Sequence, residues 1–279
     1  MKRMNATVVR ASTGFALAAV LLMVAAPAHA QYRPRPIDDP ATGESYHIEG
    51  SIALWYPSAT MGISSESLGI QGSQIDLKND LGLADQKLPE FSIVFRPFRH
   101  HKLRFDYIPI SYTQGPTTLS QDIVFNGQRY QLGVPVNSTL DWKAYRFGYE
   151  FDFITRNRGF AGFITEAKYT DVRAEIDSPI LSEFAQARAP IPAIGGIGRY
   201  YVVPNISVTG ELTAFKLPSV NNGEYQGHYV DFDIYGTVNA NNYVGVKAGY
   251  RSLDTGYVVK KDSGSFVLNG FYIGAVVRY

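Results

Sequence analysis

The sequence contains no cysteine, which excludes disulfide scaffolds, Cys-ligated zinc or iron–sulfur sites, cysteine nucleophiles and a lipid anchor on cysteine. Charged residues make up only 18% of the chain, against about 25% in a typical soluble domain. The formal net charge of +1 gives no basis for binding nucleic acid. Hydrophobic residues make up 45% and aromatic residues 13%, too much for a disordered chain. The mean hydropathy is still −0.11, so apolar and polar residues are interspersed.

The first thirty residues have the pattern of a secretory signal peptide. Lys2, Arg3 and Arg10 form a basic start, an unbroken apolar stretch covers residues 15–26, and Ala28-His29-Ala30 matches a cleavage site. A membrane-spanning helix needs about 20 apolar residues, so an uncleaved anchor helix is the less favoured alternative. Cleavage after Ala30 is therefore predicted, and it removes three basic residues, which changes the formal net charge from +1 to −2.

The rest of the chain has no apolar run long enough for a membrane helix. From Tyr46 onward, apolar and polar residues alternate with a period of two, which indicates β-strands. The clearest strand covers residues 142–153, where five aromatic residues point one way and three charged residues point the other way. The aromatic residues are Tyr145, Phe147, Tyr149, Phe151 and Phe153, and the charged residues are Arg146, Glu150 and Asp152. A soluble sandwich is possible, but this charged face favours a membrane β-barrel.

Short turns alternate with long connections along the chain. This arrangement is typical of bacterial outer-membrane barrels, which have short periplasmic turns and long extracellular loops. It predicts an all-β, antiparallel up-and-down barrel of ten strands (46–56, 89–97, 102–113, 138–153, 159–174, 191–203, 206–217, 226–238, 242–254 and 265–279). Eight or twelve strands are alternatives. The predicted organisation is a signal peptide (1–30), a flexible periplasmic lead (31–45) and a barrel (46–279) with long extracellular loops at 57–88 and 114–137.

Two segments within these loops have further strand signals. Residues 119–125 and 128–134 flank Asn126-Gly127, a strong two-residue hairpin signal, and we predict a hairpin that stands above the membrane. Residues 68–83 could form another strand. If that strand crossed the membrane alone, the strand count would be odd and the chain ends would lie on opposite sides. We therefore place it outside the membrane.

The last nine residues alternate and end in an aromatic residue, with Phe271, Ile273, Ala275, Val277 and Tyr279 on one face. Here the chain resembles small bacterial outer-membrane β-barrel proteins of the general OmpA, OmpX and OmpW architecture, although no single family is fixed. The resemblance implies an exported protein in the outer membrane, in contact with outer-membrane lipid. It also implies that Phe271, Ile273, Val277 and Tyr279 form an assembly signal for the barrel-assembly machinery, with periplasmic chaperones as transient partners. A plain edge strand is the alternative.

If the apolar face is outward, many charged residues must face the interior. They comprise nine acids and eight bases: Glu49, Glu90, Arg96, Arg104, Asp106, Arg146, Glu150, Asp152, Glu166, Lys168, Arg199, Glu211, Asp231, Asp233, Lys247, Arg251 and Arg278. A narrow barrel leaves room for little besides side chains, and buried charges need partners. The near-equal numbers favour a charge-paired network that plugs the lumen, over a polar conduit for small solutes.

Aromatic residues at strand ends predict the two interfacial girdles of a membrane barrel. Trp55, Tyr56 and Trp142 lie near predicted outer strand ends, and Tyr201, Tyr243 and Tyr279 lie near predicted inner ends. Trp55 and Tyr201 could instead face inward.

Candidate catalytic and metal-binding residues are few. His100 and His101 fall in a predicted turn, and His228 lies near Asp231 and Asp233 but has no local His-x-Ser or Asp-His pairing. The first loop contains Asp76, Asn79, Asp80 and Asp85, whose spacing matches no calcium-binding loop. We therefore predict no catalytic residue, metal or cofactor.

These observations leave three hypotheses for function. The first is a structural or surface-interaction protein without enzymatic activity and with a plugged lumen, whose extracellular partner the sequence does not identify. The second is a narrow passive pore for small solutes. The third, an outer-membrane lipid-modifying enzyme, would rely on His228 as a general base.

Overall fold

A computed structural model describes residues 40–67 and 69–279, so the predicted signal peptide, its cleavage site and residues 31–39 of the lead lie outside the described residues. Most of the described chain is strand. The strands are β1 (Ile48–Ser64), β2 (Ile75–Asp76), β3 (Leu88–Phe98), β4 (His101–Thr118), β5 (Ile123–Phe125), β6 (Gln128–Tyr130), β7 (Pro135–Arg156), β8 (Gly159–Asp177), β9 (Ser182–Val203), β10 (Ile206–Val220), β11 (Tyr225–Asn239), β12 (Val244–Val259) and β13 (Asp262–Arg278). No helix within the described ranges is long and apolar enough to cross a membrane.

Ten of these strands form a closed antiparallel barrel. Each strand pairs with the next long strand along the chain, and β13 pairs with β1, from Glu49 opposite Arg278 to Ser64 opposite Ser263. The short strand β2 is attached to β1, while β5 and β6 form a separate hairpin. The predicted ten-stranded up-and-down barrel is therefore confirmed. We call the end with the short turns and the last residue the proximal end, and the opposite end the distal end.

The strands extend further toward the distal end than the sequence predicts. Strand β7 begins at Pro135 rather than at residue 138, and β9 begins at Ser182 rather than at residue 191. The loops predicted at 57–88 and 114–137 are correspondingly shorter, because β1 continues to Ser64 and β4 to Thr118. The sequence does not predict these extensions because the apolar residues there lie on the inner face of the strands instead of the outer face.

Halfway along the barrel, the apolar residues change from the outer face of the wall to its inner face. In the proximal half of β4, Leu103 and Phe105 face outward while charged residues face inward, whereas in the distal half Ser111 and Thr113 face outward. The inward series of β4 is Lys102, Arg104, Asp106, Ile108, Ile110 and Tyr112. Strands β1, β7 and β8 make the same change. The proximal half is thus apolar outside and polar inside, and the distal half is polar outside and apolar inside.

An apolar core, which we call the distal core, fills the distal half of the barrel. Strand residues such as Leu140, Trp142 and Leu268 pack there with residues from the two long connections. The connection residues are Ile75, Leu77, Leu81, Leu83, Leu119, Ile123, Phe125 and Tyr130. Because these side chains are removed from water, the hydrophobic effect stabilises the packing of the two connections against the barrel.

The hairpin predicted around Asn126-Gly127 is present, but it is shorter and lies lower than expected. Strands β5 and β6 flank the turn, whose two residues have the positive φ values of 49° and 81° that such a turn requires. Phe125 is fully buried, and the Tyr130 hydroxyl donates a 3.0 Å hydrogen bond to the Ile176 carbonyl. The hairpin therefore folds over the distal opening instead of standing free above it.

Residues 41–45 belong to the predicted flexible lead, but the structure ties them to the proximal end of the barrel. The Ala41 amide donates to the Asn157 carbonyl at 3.1 Å, and the Thr42 amide donates to the Pro204 carbonyl at 2.8 Å. Ala41 and Glu44 are buried. The sequence predicts a flexible lead here, whereas the structure gives the backbone amides of Ala41, Thr42 and Gly43 partners in the barrel turns.

Truncation of Leu140 tests the distal core. Leu140→Ala leaves a cavity at a fully buried position and should lower the free energy of unfolding by about 2–5 kcal/mol. The measurement is urea unfolding of the protein refolded in lipid vesicles. Leu132→Ala is the control, because Leu132 is exposed and its truncation should have little effect. Equal losses in the two variants would contradict the description of the distal core.

Candidate functional site

The inward-facing charged residues occupy the proximal half of the barrel. All seventeen predicted residues are buried or half-buried, on strands from every part of the wall. The structure adds Lys102 and Glu44 to them, and we call the whole set of nineteen residues the lumen network. It is the only large assembly of ionisable side chains inside the described part of the barrel.

Arg146 lies at the centre of the lumen network. Its Nε is 2.7 Å from Glu166 Oε2, its Nη1 is 3.5 Å from Asp231 Oδ2, and its Nη2 contacts Glu211. Arg104 also binds Glu211, with Nη2 and Oε2 2.6 Å apart. These residues come from β4, β7, β8, β10 and β11, so their ion pairs cross the lumen and connect opposite walls.

Asp231 is the main acceptor of the network. Arg251 Nη2 lies 2.8 Å from Asp231 Oδ2, and Lys168 Nζ lies 3.2 Å from the same oxygen. Arg251 also reaches Glu90, with Nη1 and Oε1 2.7 Å apart. One carboxylate therefore balances several cations, as a buried charge requires when water is excluded.

Lys102 is a member of the network that the sequence reading missed. Its Nζ lies 2.6 Å from Glu150 Oε1 and 2.9 Å from Asp152 Oδ2, and all three side chains are fully buried. It also lies 3.3 Å from the centre of the Phe160 ring, a cation–π contact. The position of Lys102, two residues before the inward Arg104, is the signal that could have identified it.

Glu44 closes the network at the proximal end. Its carboxylate lies 3.3 Å from Arg199 Nη1 and 3.5 Å from Arg96 Nη1, and it accepts a 3.0 Å hydrogen bond from the Tyr201 hydroxyl. Sequence reasoning missed Glu44 because it precedes the first strand and takes part in no alternation. Nearby, Arg278 Nε contacts Glu49 Oε2 at 2.5 Å, which joins the last strand to the first.

Three of the predicted residues rely partly or wholly on neutral partners. Asp233 accepts hydrogen bonds of 2.9 and 3.1 Å from the Tyr272 hydroxyl. Lys247 donates a 2.9 Å hydrogen bond to Ser51. Asp106 contacts Ser92 and lies 3.6 Å from Arg146. The structure thus gives every predicted inward residue a polar partner.

The remaining space inside the network is small. A cavity of about 60 Å³ lies among its side chains, and Asp233, Lys247 and Arg251 line part of it. Such a volume holds a few water molecules and is well below the roughly 300 Å³ of the smallest ordinary ligand pockets.

The predicted aromatic girdles are only partly correct. Tyr56, Tyr243 and Tyr279 are exposed on the outer wall. Trp55, Trp142 and Tyr201 are buried inside, and Trp55 Nε1 donates a 3.1 Å hydrogen bond to the Gly270 carbonyl. The prediction is wrong for Trp142 because this residue lies distal to the point where the alternation reverses.

The last strand has the face that the sequence predicts for an assembly signal. Phe271, Ile273, Val277 and Tyr279 are all exposed on the outer wall, with 71, 59, 59 and 84% of their surfaces accessible. The Tyr279 amide and carbonyl also bond to the chain at residues 47 and 48, next to β1. The recognition of this segment by assembly factors remains a prediction.

The histidines and the first-loop acids have local partners. His100 contacts the Asp152 carbonyl at 2.7 Å, while His228 Nε2 pairs with Asp254 Oδ1 at 3.0 Å on the outer wall of the distal half. Asp76 accepts from the amides of Lys78 and Asn79 and organises a turn. Within the described ranges, no cluster of three or more potential ligands for a metal ion is present.

No protein-family model and no curated protein matches the chain. Among solved structures, it is similar to the outer membrane protease OmpT from Escherichia coli, with a TM-score of 0.53 and 9% identity over 88% of this chain and 100% of that chain. A Pseudomonas aeruginosa FadL homologue gives a TM-score of 0.37 with 6% identity, over 86% of this chain and 92% of that chain. Ail from Yersinia pestis gives 0.36 with 8% identity, over 84% and 99%. At these identities the likeness concerns the fold alone.

The class of protein follows from the wall and the fold. A closed barrel leaves no unpaired strand edge, and a band of exposed apolar side chains surrounds its proximal half, as a lipid environment requires. The chain is a small bacterial outer-membrane β-barrel protein of ten strands, located in the outer membrane, and no single family is fixed. Because bacterial outer-membrane barrels have their short turns on the periplasmic side, we expect the proximal end to face the periplasm and the distal end the exterior.

Removal of Lys102 tests the energetic role of the network. Lys102→Met leaves Glu150 and Asp152 without this cation in a buried environment, and should lower the free energy of unfolding by about 3–5 kcal/mol. The measurement is urea unfolding in lipid vesicles.

Two further variants control for this result. Lys261→Met removes an exposed lysine that pairs with Glu66 and should cost at most about 1 kcal/mol. The double variant Lys102→Met/Asp152→Asn should recover part of the loss, since it removes a carboxylate whose ion-pair partner is Lys102. A double variant less stable than Lys102→Met would contradict charge pairing as the cause.

Asp85 should make the first extracellular connection sensitive to pH. Partial burial acts to raise the pKa of Asp85, but hydrogen bonds from the Ala59 amide and from Lys78 outweigh it and hold the pKa below its usual value. A carboxyl group with a lowered pKa stabilises the fold above its unfolded pKa, and this contribution is lost as the pH falls through the folded value. Hydrogen exchange at Ala59, corrected for the intrinsic rate, should therefore accelerate below about pH 4.

Asp85→Asn should show fast exchange at Ala59 already at neutral pH and little further change on acidification. Asp122→Asn, in the other long connection, is the control and should behave like the wild type. An unchanged exchange rate at Ala59 in Asp85→Asn would exclude the proposed role of this carboxylate.

Proposed function

We propose that this protein is a non-enzymatic outer-membrane barrel with a sealed lumen, whose role is structural or lies in interactions at the cell surface. The observation that carries the proposal is that side chains fill the interior at three successive levels. Residues 41–46 lie across the periplasmic end, the lumen network fills the membrane-embedded half, and the distal core fills the extracellular half.

The length of the strands supports a role at the surface. A tilted transmembrane strand needs about 9–11 residues, whereas β7 and β9 have 22 residues each. Their distal halves have polar outer faces, so they extend beyond the membrane into water. The apolar distal core gives this extension a stable interior of its own, which makes it a rigid platform for contact with an extracellular partner.

A narrow passive pore is the second candidate, and the cavity of about 60 Å³ inside the network is the observation that favours it. A conducting pore would need a continuous path past the distal core. Because apolar side chains from β5 and β6 lie across that path, the sealed barrel is the better supported of the two.

Planar-bilayer recording distinguishes these two candidates. The wild-type protein should give no steady single-channel steps. Arg104→Ala/Arg146→Ala/Glu211→Ala removes the centre of the lumen network and should also be silent, because the distal core still closes the lumen. The same triple variant with residues 66–86 and 119–134 replaced by short Gly-Ser linkers should conduct.

Folding of each variant is checked by heat-modifiable migration in gels. Steady conductance from pure wild-type protein would overturn the sealed-lumen proposal. Conductance from the triple variant alone would show that the lumen network, rather than the distal core, is the only barrier.

A further inference from the structure

The periplasmic end of the barrel has a groove lined by four arginines. Arg199 pairs with Glu44, and the other three are Arg99, Arg156 and Arg158. The four turns at this end, 99–100, 157–158, 204–205 and 240–243, contain no aspartate or glutamate. Arg99 and Arg156 are exposed. Within the described ranges, no carboxylate lies within 4.0 Å of any of the three guanidinium groups. The three positive charges of Arg99, Arg156 and Arg158 are therefore not neutralised by the described residues.

The extracellular arginines behave differently. Arg173, Arg188 and Arg129 each have an acidic residue nearby, at distances of 3.0 Å from Glu175, 3.1 Å from Asp171 and 3.8 Å from Asp122. Among the described arginines, the absence of an acidic partner is thus particular to Arg99, Arg156 and Arg158. In addition, Arg158 Nε is buried and has no hydrogen-bond partner among the described residues, although a buried donor normally has one.

The groove has an apolar side as well as a basic side. Ile154, Ala161 and Tyr200 line it together with the arginines, and its volume is about 690 Å³. Ile154 and Tyr200 are roughly half exposed and belong to the lipid-facing wall. The groove therefore lies where the periplasmic leaflet meets the protein, with its apolar side continuous with the acyl-chain region.

The turn that carries Arg158 is held in a fixed position. The Arg158 carbonyl accepts from the Tyr201 amide at 2.8 Å, and the Asn157 carbonyl accepts from the Ala41 amide at 3.1 Å. Gly159 has a φ of +143°, and a Cβ there would lie 2.0 Å from the Arg199 carbonyl oxygen. Only glycine allows this close approach, so the backbone that carries Arg156 and Arg158 has a fixed position.

We propose that this groove binds an anionic glycerophospholipid of the periplasmic leaflet. The three guanidinium groups receive the phosphate oxygens, since arginine matches phosphate geometry through paired hydrogen bonds. An acyl chain lies along Ile154 and Tyr200. The site is separate from the lumen network, and the proposal does not depend on whether the lumen is sealed.

Native mass spectrometry of the full mature chain tests the site. The protein is released from detergent micelles that contain equal amounts of phosphatidylglycerol and phosphatidylethanolamine. The wild type should retain phosphatidylglycerol with about a tenfold preference, because each arginine near a lipid surface favours anionic headgroups. Arg99→Gln/Arg156→Gln/Arg158→Gln should retain both lipids equally.

The matched control is Arg129→Gln/Arg173→Gln/Arg188→Gln, which removes the same charge from the extracellular side and should keep the preference. Heat-modifiable migration confirms that all variants are folded. A wild type without preference, a groove variant that keeps it, or a control that loses it would each overturn the proposal.

A competition experiment separates a lipid from a free anion as the ligand. Glycerol phosphate has the headgroup chemistry but no acyl chain, and at the same concentration it should not displace phosphatidylglycerol from the wild type. Complete displacement would mean that the apolar side of the groove contributes nothing, and the lipid proposal would then be wrong.

Discussion

Pairing of buried charges is the constraint on which the membrane-embedded half of this protein depends. A ten-stranded barrel is too narrow to hydrate its inward residues, and an unpaired charge there would cost several kcal/mol. Most of the cations therefore pair with a carboxylate from another part of the chain, as Arg146 does with Glu166 and Asp231. Because a shift of one residue turns every side chain of a strand to the other face, these ion pairs also fix the register of the wall.

The same strands place their apolar residues on opposite faces in the two halves of the barrel. In the membrane the wall faces lipid, so apolar residues such as Phe105 point outward and charged residues point inward. Beyond the membrane the wall faces water, and Ile110 and Tyr112 of the same strand β4 are buried inside. Apolar side chains thus contact lipid on the outside of the proximal half and pack inside the distal half. An apolar core like that of a soluble protein therefore lies directly above a polar lumen.

Much of the fold could be predicted from the sequence because it depends on local alternation. The number of barrel strands, their order and the inward set of charged residues all follow from which residues share a face. Pairing partners could not be predicted, since Arg146 and Asp231 are 85 residues apart. Glu44 lies before the first strand and takes part in no alternation, whereas Lys102 lies at the start of its strand and is indicated only by its spacing of two residues from Arg104. The predicted position of Trp142 in an aromatic girdle is wrong because, in the sequence, a change of the apolar residues from one face to the other resembles the end of a strand.

The pairing of β1 with β13 has a consequence for the order of folding. The two strands are separated by almost the whole chain, and the ion pair between Glu49 and Arg278 joins residues 229 positions apart. Contacts of such high sequence separation form late and slowly. Until the last strand arrives, the lumen network lacks one wall and the distal core lacks Phe266 and Leu268. Charged and apolar interiors must therefore be completed in the same final step, when the sheet closes on itself.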